Sequence, residues 1–161
     1  MKPPVREPGH AEPRWTALAD GTIDIISTDH APHLVTEKQR NSIWETAPGF
    51  PGVETSMRLM LTAVNARRIS LNDYVRMACE APAKAFGIFP RKGTIQVGSD
   101  ADIVLVDLER QSRIDINKLH SIGRATPFDG FLTKGLPVMT LVRGKKLLKT
   151  ARRLVFRDGV S

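Results

Sequence analysis

The chain has 161 residues and a mass of 17.8 kDa, with 41% hydrophobic and 25% charged side chains, a usage that excludes a disordered or collagen-like polymer. The formal net charge is +7, and all of it resides between Lys134 and Ser161, where eight basic residues face one acid, Asp158. Phe156 is the one aromatic in that stretch, so it lacks the stacking platforms of a single-strand binder and reads as a solvated or partner-facing surface, with no nucleic-acid partner expected.

No apolar run approaches the roughly 18 residues that span a bilayer, and the first residues carry no apolar core of a secretory signal. Cys79, the single cysteine, can form neither an internal disulfide nor a cysteine-based zinc cage. These features predict a soluble, cytoplasmic chain with no membrane partner.

In chain order, three prolines in the first ten residues read as a loop, and Glu12–Asp20 reads as a helix with Pro13 early and Gly21 just beyond its end. Thr22–Thr28 is a β-branched run that predicts a buried strand. It ends in a polar cluster, Asp29-His30-Ala31-Pro32-His33. Leu34 to Pro51 is irregular. A helix starts near Glu54, with Met57, Met60, Leu61 and Val64 on one face. Ser70 and Asp73 resemble a capping box that opens a second helix through Glu80. Pro82 is expected to break that helix and start a short one ending at Gly87, and Cys79 is expected on its apolar side as a small core residue. Beyond Gly87 the pattern turns to strands: Gly93–Val97, Ala101–Asp107 and Pro137–Gly144, followed by a basic hairpin-like end. Alternating strand and helix in residues 1–88 and an all-β character in residues 89–161 predict a boundary between structural units near Ile88–Arg91.

The cluster after the first predicted strand carries the chemistry. A carboxylate and two imidazoles at a strand's carboxyl end sit where α/β proteins build active sites. Asp29 suits a divalent metal or the proton of an activated water, and His30 or His33 suits a metal or an anionic substrate. The same residues also suit a capped surface loop, and the cluster alone leaves both readings open. A zinc site needs three or four protein ligands, and the remaining histidines, His10 and His120, lie far away in sequence.

Thr28-Asp29-His30-Ala31-Pro32-His33 resembles the last-strand signature of dihydroorotases and related cyclic amidohydrolases. Other segments follow in that family's order: Pro3-Pro4-Val5-Arg6, Leu18–Asp24, Gly49-Phe50-Pro51-Gly52-Val53-Glu54-Thr55, Ala81–Gly87, Lys92–Ile95, Gly98–Asp102, Thr126–Gly130 and Val142–Lys145. The resemblance covers essentially the whole chain. It implies an α/β fold: the C-terminal part of a (β/α)8 TIM barrel in residues 1–88, then the C-terminal strands of a small β-sandwich in residues 89–161. A barrel takes roughly 250 residues, and the family's first-strand His-x-His pair, bridging lysine or aspartate and mid-barrel histidines have no counterpart here. The resemblance therefore implies a portion of a longer amidohydrolase, inactive alone, whose partners are the missing N-terminal segment of the same barrel, a small cyclic amide and further copies in a homo-oligomer.

For the site, the resemblance implies that Asp29 ligates a centre of one or two zinc ions and acts as general base. His33 would hold a substrate carboxylate, and Gly49 and Phe50 would form the opposing wall. Hydantoinases and dihydropyrimidinases usually carry Cys-Pro-Phe where this chain has Ala31-Pro32-His33, so the resemblance favours dihydroorotate and pyrimidine biosynthesis. Lys2 stands where many dihydroorotases have a substrate-contacting asparagine, which keeps the hydantoinase, dihydropyrimidinase and allantoinase branches in view, together with a non-catalytic scaffold.

Overall fold

The computed structural model describes Glu7 and residues 9–149. Lys2, the Pro3–Arg6 segment and the basic end beyond Lys149 lie outside the described residues. The order of elements is α1 (Ala11–Ala19), α2 (Val35–Lys38), α3 (Val53–Asn65), α4 (Leu71–Val75), a π-turn (Arg76–Glu80), α5 (Ala81–Ala85), β1 (Ile103–Arg113), a 3-10 turn (Ile116–Lys118), β2 (Leu132–Val142) and β3 (Lys145–Lys149). None of the described helices is long and apolar enough to cross a membrane.

The core forms around α3. Leu61, Ala63, Ile69, Tyr74 and Met77 are buried together, and Trp15, Leu18, Met57, Met60 and Val64 pack onto them, as the apolar stripe predicts. Ser70 caps α4 as expected: its Oγ accepts from the Asp73 backbone N–H at 3.0 Å. Trp15 lies under the Arg68 guanidinium, 4.9 Å from its ring centre, while Arg68 Nη2 pairs with Glu12 Oε2 at 2.5 Å, tying α1 to the turn after α3.

Three expectations are corrected. Pro82 does not break the helix: α4 passes through the π-turn straight into α5. Proline has no N–H to donate and its ring crowds the preceding turn. In the widened turn, the Ala81 N–H reaches back five residues to the Arg76 carbonyl. Gly87 does adopt the left-handed conformation of a C′ residue, with φ at 68°. Cys79 is exposed rather than a core residue. Gly93–Val97 is not a strand. Ser99 Oγ donates to the Pro90 carbonyl at 2.7 Å, the Asp100 N–H donates to the Arg91 carbonyl, and Lys92 pairs with Asp100 and Asp102, folding the segment on itself. Ile95 and Val97 are left outside, the latter fully exposed.

The predicted strand at Thr22–Thr28 is not formed: the segment joins no sheet among the described residues. Its Ile26 N–H donates to the Met77 carbonyl at 3.3 Å, and Ile26 packs on the α3 core. A ladder needs a neighbouring strand to complete its hydrogen bonds, and the described residues supply none beside it.

The later strands do find partners, and they run longer than the apolar stretches that predict them. β1, β2 and β3 form one antiparallel sheet in that order, with Val104 opposite Thr140 and Ser112 opposite Thr133. The sheet rests on α3 through β2. Gly135, at φ 97°, lets the backbone approach so closely that a Cβ there would lie 2.7 Å from Leu61 Cβ. Beside it, Thr62 Oγ1 accepts from the Lys134 N–H at 3.0 Å, and Asn65 Nδ2 donates to the Leu108 and Lys134 carbonyls.

Candidate functional site

Asp29 follows the Thr22–Thr28 run, is exposed, and has φ at 44°. A side-chain-bearing residue in the left-handed region costs roughly 1–2 kcal/mol, although aspartate tolerates it better than most. The strain is held by anchors on both sides. Upstream, Gly52 packs so tightly that a Cβ would meet the Thr28 carbonyl oxygen at 2.9 Å. Downstream, the Ala31 N–H donates to the Phe50 carbonyl at 3.1 Å, and a Cβ on Gly49 would lie 2.6 Å from Ala31 Cβ. Gly49 and Phe50 thus lie against the signature loop itself.

His30 does something that sequence reasoning missed. Its Nδ1 accepts from the Gly52 and Val53 N–H groups, both at 3.1 Å, and so caps the first turn of α3. With Nδ1 accepting, the neutral ring carries its proton on Nε2. No spacing rule links a histidine to a helix starting 23 residues later; the readable signal was the Pro51-Gly52 helix start, which lacks a serine, threonine or aspartate cap of its own.

His33 lies 3.8 Å, through Nδ1, from Glu37 Oε2. The same Glu37 oxygen accepts from the Leu34 N–H at 2.6 Å. Lys38 donates to the Ala47 and Gly49 carbonyls and so braces the wall loop against α2. From the other side, Gly123 sits where a Cβ would lie 2.9 Å from Pro32 Cα and 3.1 Å from the His33 carbonyl oxygen.

That second loop is tied to α3 by a carboxylate. Glu54 accepts from the His120 N–H, from the Ser121 N–H at 2.9 Å, and from the Ser121 hydroxyl, while His120 Nδ1 lies 2.9 Å from Oε2. Partial burial pushes the Glu54 pKa up, but the hydrogen bonds from His120 and Ser121 outweigh it and hold it at about 2. His120 is thereby a loop partner of Glu54, and His10 directly precedes α1. Phe50 stacks edge-on against Phe128 with centroids 5.7 Å apart. Between the two loops lies a cleft of about 720 Å³, with Gly49, Phe50 and Lys38 on one side and Arg124, Thr126 and Pro127 on the other.

The metal expectation can be tested on this donor set. Among the described residues no three His, Cys, Asp or Glu side chains gather as a metal cage. His30 spends Nδ1 on backbone donors, and His33 faces Glu37. The described residues therefore do not fit a zinc centre, which needs three or four protein ligands. What the arrangement does offer is an exposed carboxylate held in a strained conformation, with an imidazole four residues away.

Comparison with known proteins agrees with this picture. The amidohydrolase family model matches residues 6–147. The L-hydantoinase of Paenarthrobacter aurescens is 42% identical over 158 residues, covering 96% of this chain and 34% of that protein. The dihydroorotase of Methanothermobacter thermautotrophicus is 43% identical over 157 residues, covering 98% of this chain and 33% of that one. Among solved structures, the L-hydantoinase (dihydropyrimidinase) from Arthrobacter aurescens superposes with a TM-score of 0.87 at 42% identity, over 95% of this chain and 35% of its own. The chain spans about a third of the length of these relatives. Its signature loop, its partial fold and its match from residue 6 to residue 147 place one conclusion beyond the resemblance: the chain belongs to the amidohydrolase family.

Proposed function

We propose that this chain supplies the proton-handling carboxylate and the substrate wall of a cyclic amidohydrolase, with residues 1–88 as its last barrel units and residues 89–161 as the C-terminal share of a small sandwich. The observation that carries the reading is Asp29, exposed and held at φ 44° between anchors to residues 50–53. Strained backbone of this kind clusters at active sites, where the surrounding structure over-determines it. In hydrolysis, water adds to the ring carbonyl and the C–N bond breaks. Asp29 takes the proton from the water and returns it to the leaving nitrogen, so the carboxylate ends unchanged. A zinc centre needs three or four protein ligands, which the described residues do not bring together, so the role proposed for Asp29 here is that of the proton-handling carboxylate.

Dihydroorotate is the favoured ring. Its carboxylate needs a hydrogen-bond donor or a cation outside the reacting centre, or its desolvation goes uncompensated, and His33 supplies one. One observation favours the hydantoinase branch instead: Glu37 lies 3.8 Å from the same imidazole, where its charge competes with an anionic ring. The experiment is turnover of dihydroorotate, hydantoin and dihydrouracil by the barrel that contains this chain, with Asp29→Asn and His33→Phe variants. Asp29→Asn abolishes turnover of every ring, and His33→Phe selectively raises KM for dihydroorotate. Undiminished turnover by Asp29→Asn overturns the reading, whereas better turnover of hydantoin by the unmodified enzyme moves it to the hydantoinase branch.

A further inference from the structure

We propose that His30 is a positioning residue for Asp29, acting through its Nδ1 lone pair rather than as a metal or substrate ligand. The inference rests on the reading of Asp29 given above. Three observations combine. Asp29 is in the left-handed region without being glycine, a conformation that costs more than it would at glycine and that contacts from outside favour. The imposing contacts run to one short segment: Thr28 against Gly52, His30 to Gly52 and Val53, and Ala31 to Phe50. Of these, the His30 contact is the one made by a side chain through hydrogen bonds, from the residue directly after Asp29.

The imidazole works in two directions. It satisfies two backbone donors at the start of α3, in a helix whose N-cap is a glycine with no side chain to do so. In return, the helix, anchored by its buried face in the core, becomes the fixed body against which the Asp29 peptide is held. Removing the acceptor frees the Asp29–His30 linkage to relax toward ordinary backbone angles, swinging the carboxylate away from the reacting atoms. A misplacement of about 1 Å costs on the order of 100-fold in rate.

The side chain that imitates the role is asparagine, whose Oδ1 occupies the place of Nδ1, whereas glutamine reaches to the place of Nε2. Two measurements test the proposal. In the 161-residue chain, ¹⁵N imidazole shifts, assigned by the signals lost in His30→Asn, should show a hydrogen-bonded, unprotonated Nδ1 and a protonated Nε2. In the complete barrel, His30→Ala and His30→Gln should lower kcat roughly 10–100-fold with KM within about twofold, and His30→Asn should restore most of the loss. A purely structural role predicts equal losses for all three variants, tracking thermal stability. Protonated Nδ1, a KM effect in place of a kcat effect, or failure of asparagine to rescue overturns the proposal. If Asp29→Asn leaves turnover intact, the reading of Asp29 falls separately, and the imidazole shifts still decide whether His30 holds the loop.

Discussion

Two apolar, β-branched runs in this chain meet different fates. Thr22–Thr28 and Pro137–Val142 look alike as sequence, yet the second lies in the middle strand of a sheet, paired on both sides, while the first joins no sheet among the described residues and its backbone N–H groups donate to the Ala17 and Met77 carbonyls. Side-chain pattern sets which conformation a segment prefers; pairing depends on a neighbour with free donors and acceptors. The difference also divides labour. The paired region is held by ladders and by α3, and the unpaired run delivers Asp29, whose position depends on glycine contacts and a histidine cap.

The contrast can be broken most severely at Leu61, 1% exposed and in the seam between α3 and β2. Leu61→Ala should cost about 3 kcal/mol by transfer and cavity terms together, read as a lower urea midpoint with loss of protection in β2. A loss confined to residues before Gly87 would show that the sheet stands without the helix. A smaller effect is expected at Ser70, which caps α4 in the helical layer only. Ser70→Ala should cost about 1 kcal/mol, with amide exchange quickening in residues 71–75 and β1–β2 unaffected.

The smallest effect is local and depends on pH. Glu54 is held at about 2 in the fold, below its ordinary value of 4.5. A carboxylate with a depressed pKa contributes stability that is full above the unfolded value and lost as pH falls through the folded one. Exchange at the His120 and Ser121 amides should therefore quicken as pH is lowered from about 4.5 toward 2, once corrected for intrinsic rates. Glu54→Gln should weaken their protection at neutral pH and flatten this dependence.

Much of the helical layer was legible in the sequence because its signals are local. The stripe of α3, the Ser70 cap and the Gly87 terminus each lie within a turn or two of the structure they specify. The motif predicts Asp29, His33, Gly49 and Phe50 as one set, and of these the structure brings Gly49 and Phe50 against Ala31 of the signature. What could not be read was long-range. The His30 cap spans 22 residues, the Glu54 clamp 66, and the Gly123 approach to Pro32 about 90, and no periodicity encodes them. Pro82 misled because the rule that proline stops a helix ignores the wider π-turn that accommodates it. Gly93–Val97 misled because β-branched residues mark what a segment prefers in a sheet, and ion pairs from Lys92 closed it into a loop.

Helix α3 is attached at both ends of its length. Its first turn receives the His30 and Glu54 contacts, and its later turns receive the sheet through Leu61, Thr62 and Asn65. At 3.6 residues per turn, one inserted or deleted residue between them rotates one set of contacts by about 100° relative to the other. Insertions can accumulate in the 39–47 loop without such a penalty, but the spacing from Val53 to Asn65 cannot drift. Over evolutionary time, length variation in this chain is therefore expected in the loops that wall the site, while the helix behind them keeps its residue count.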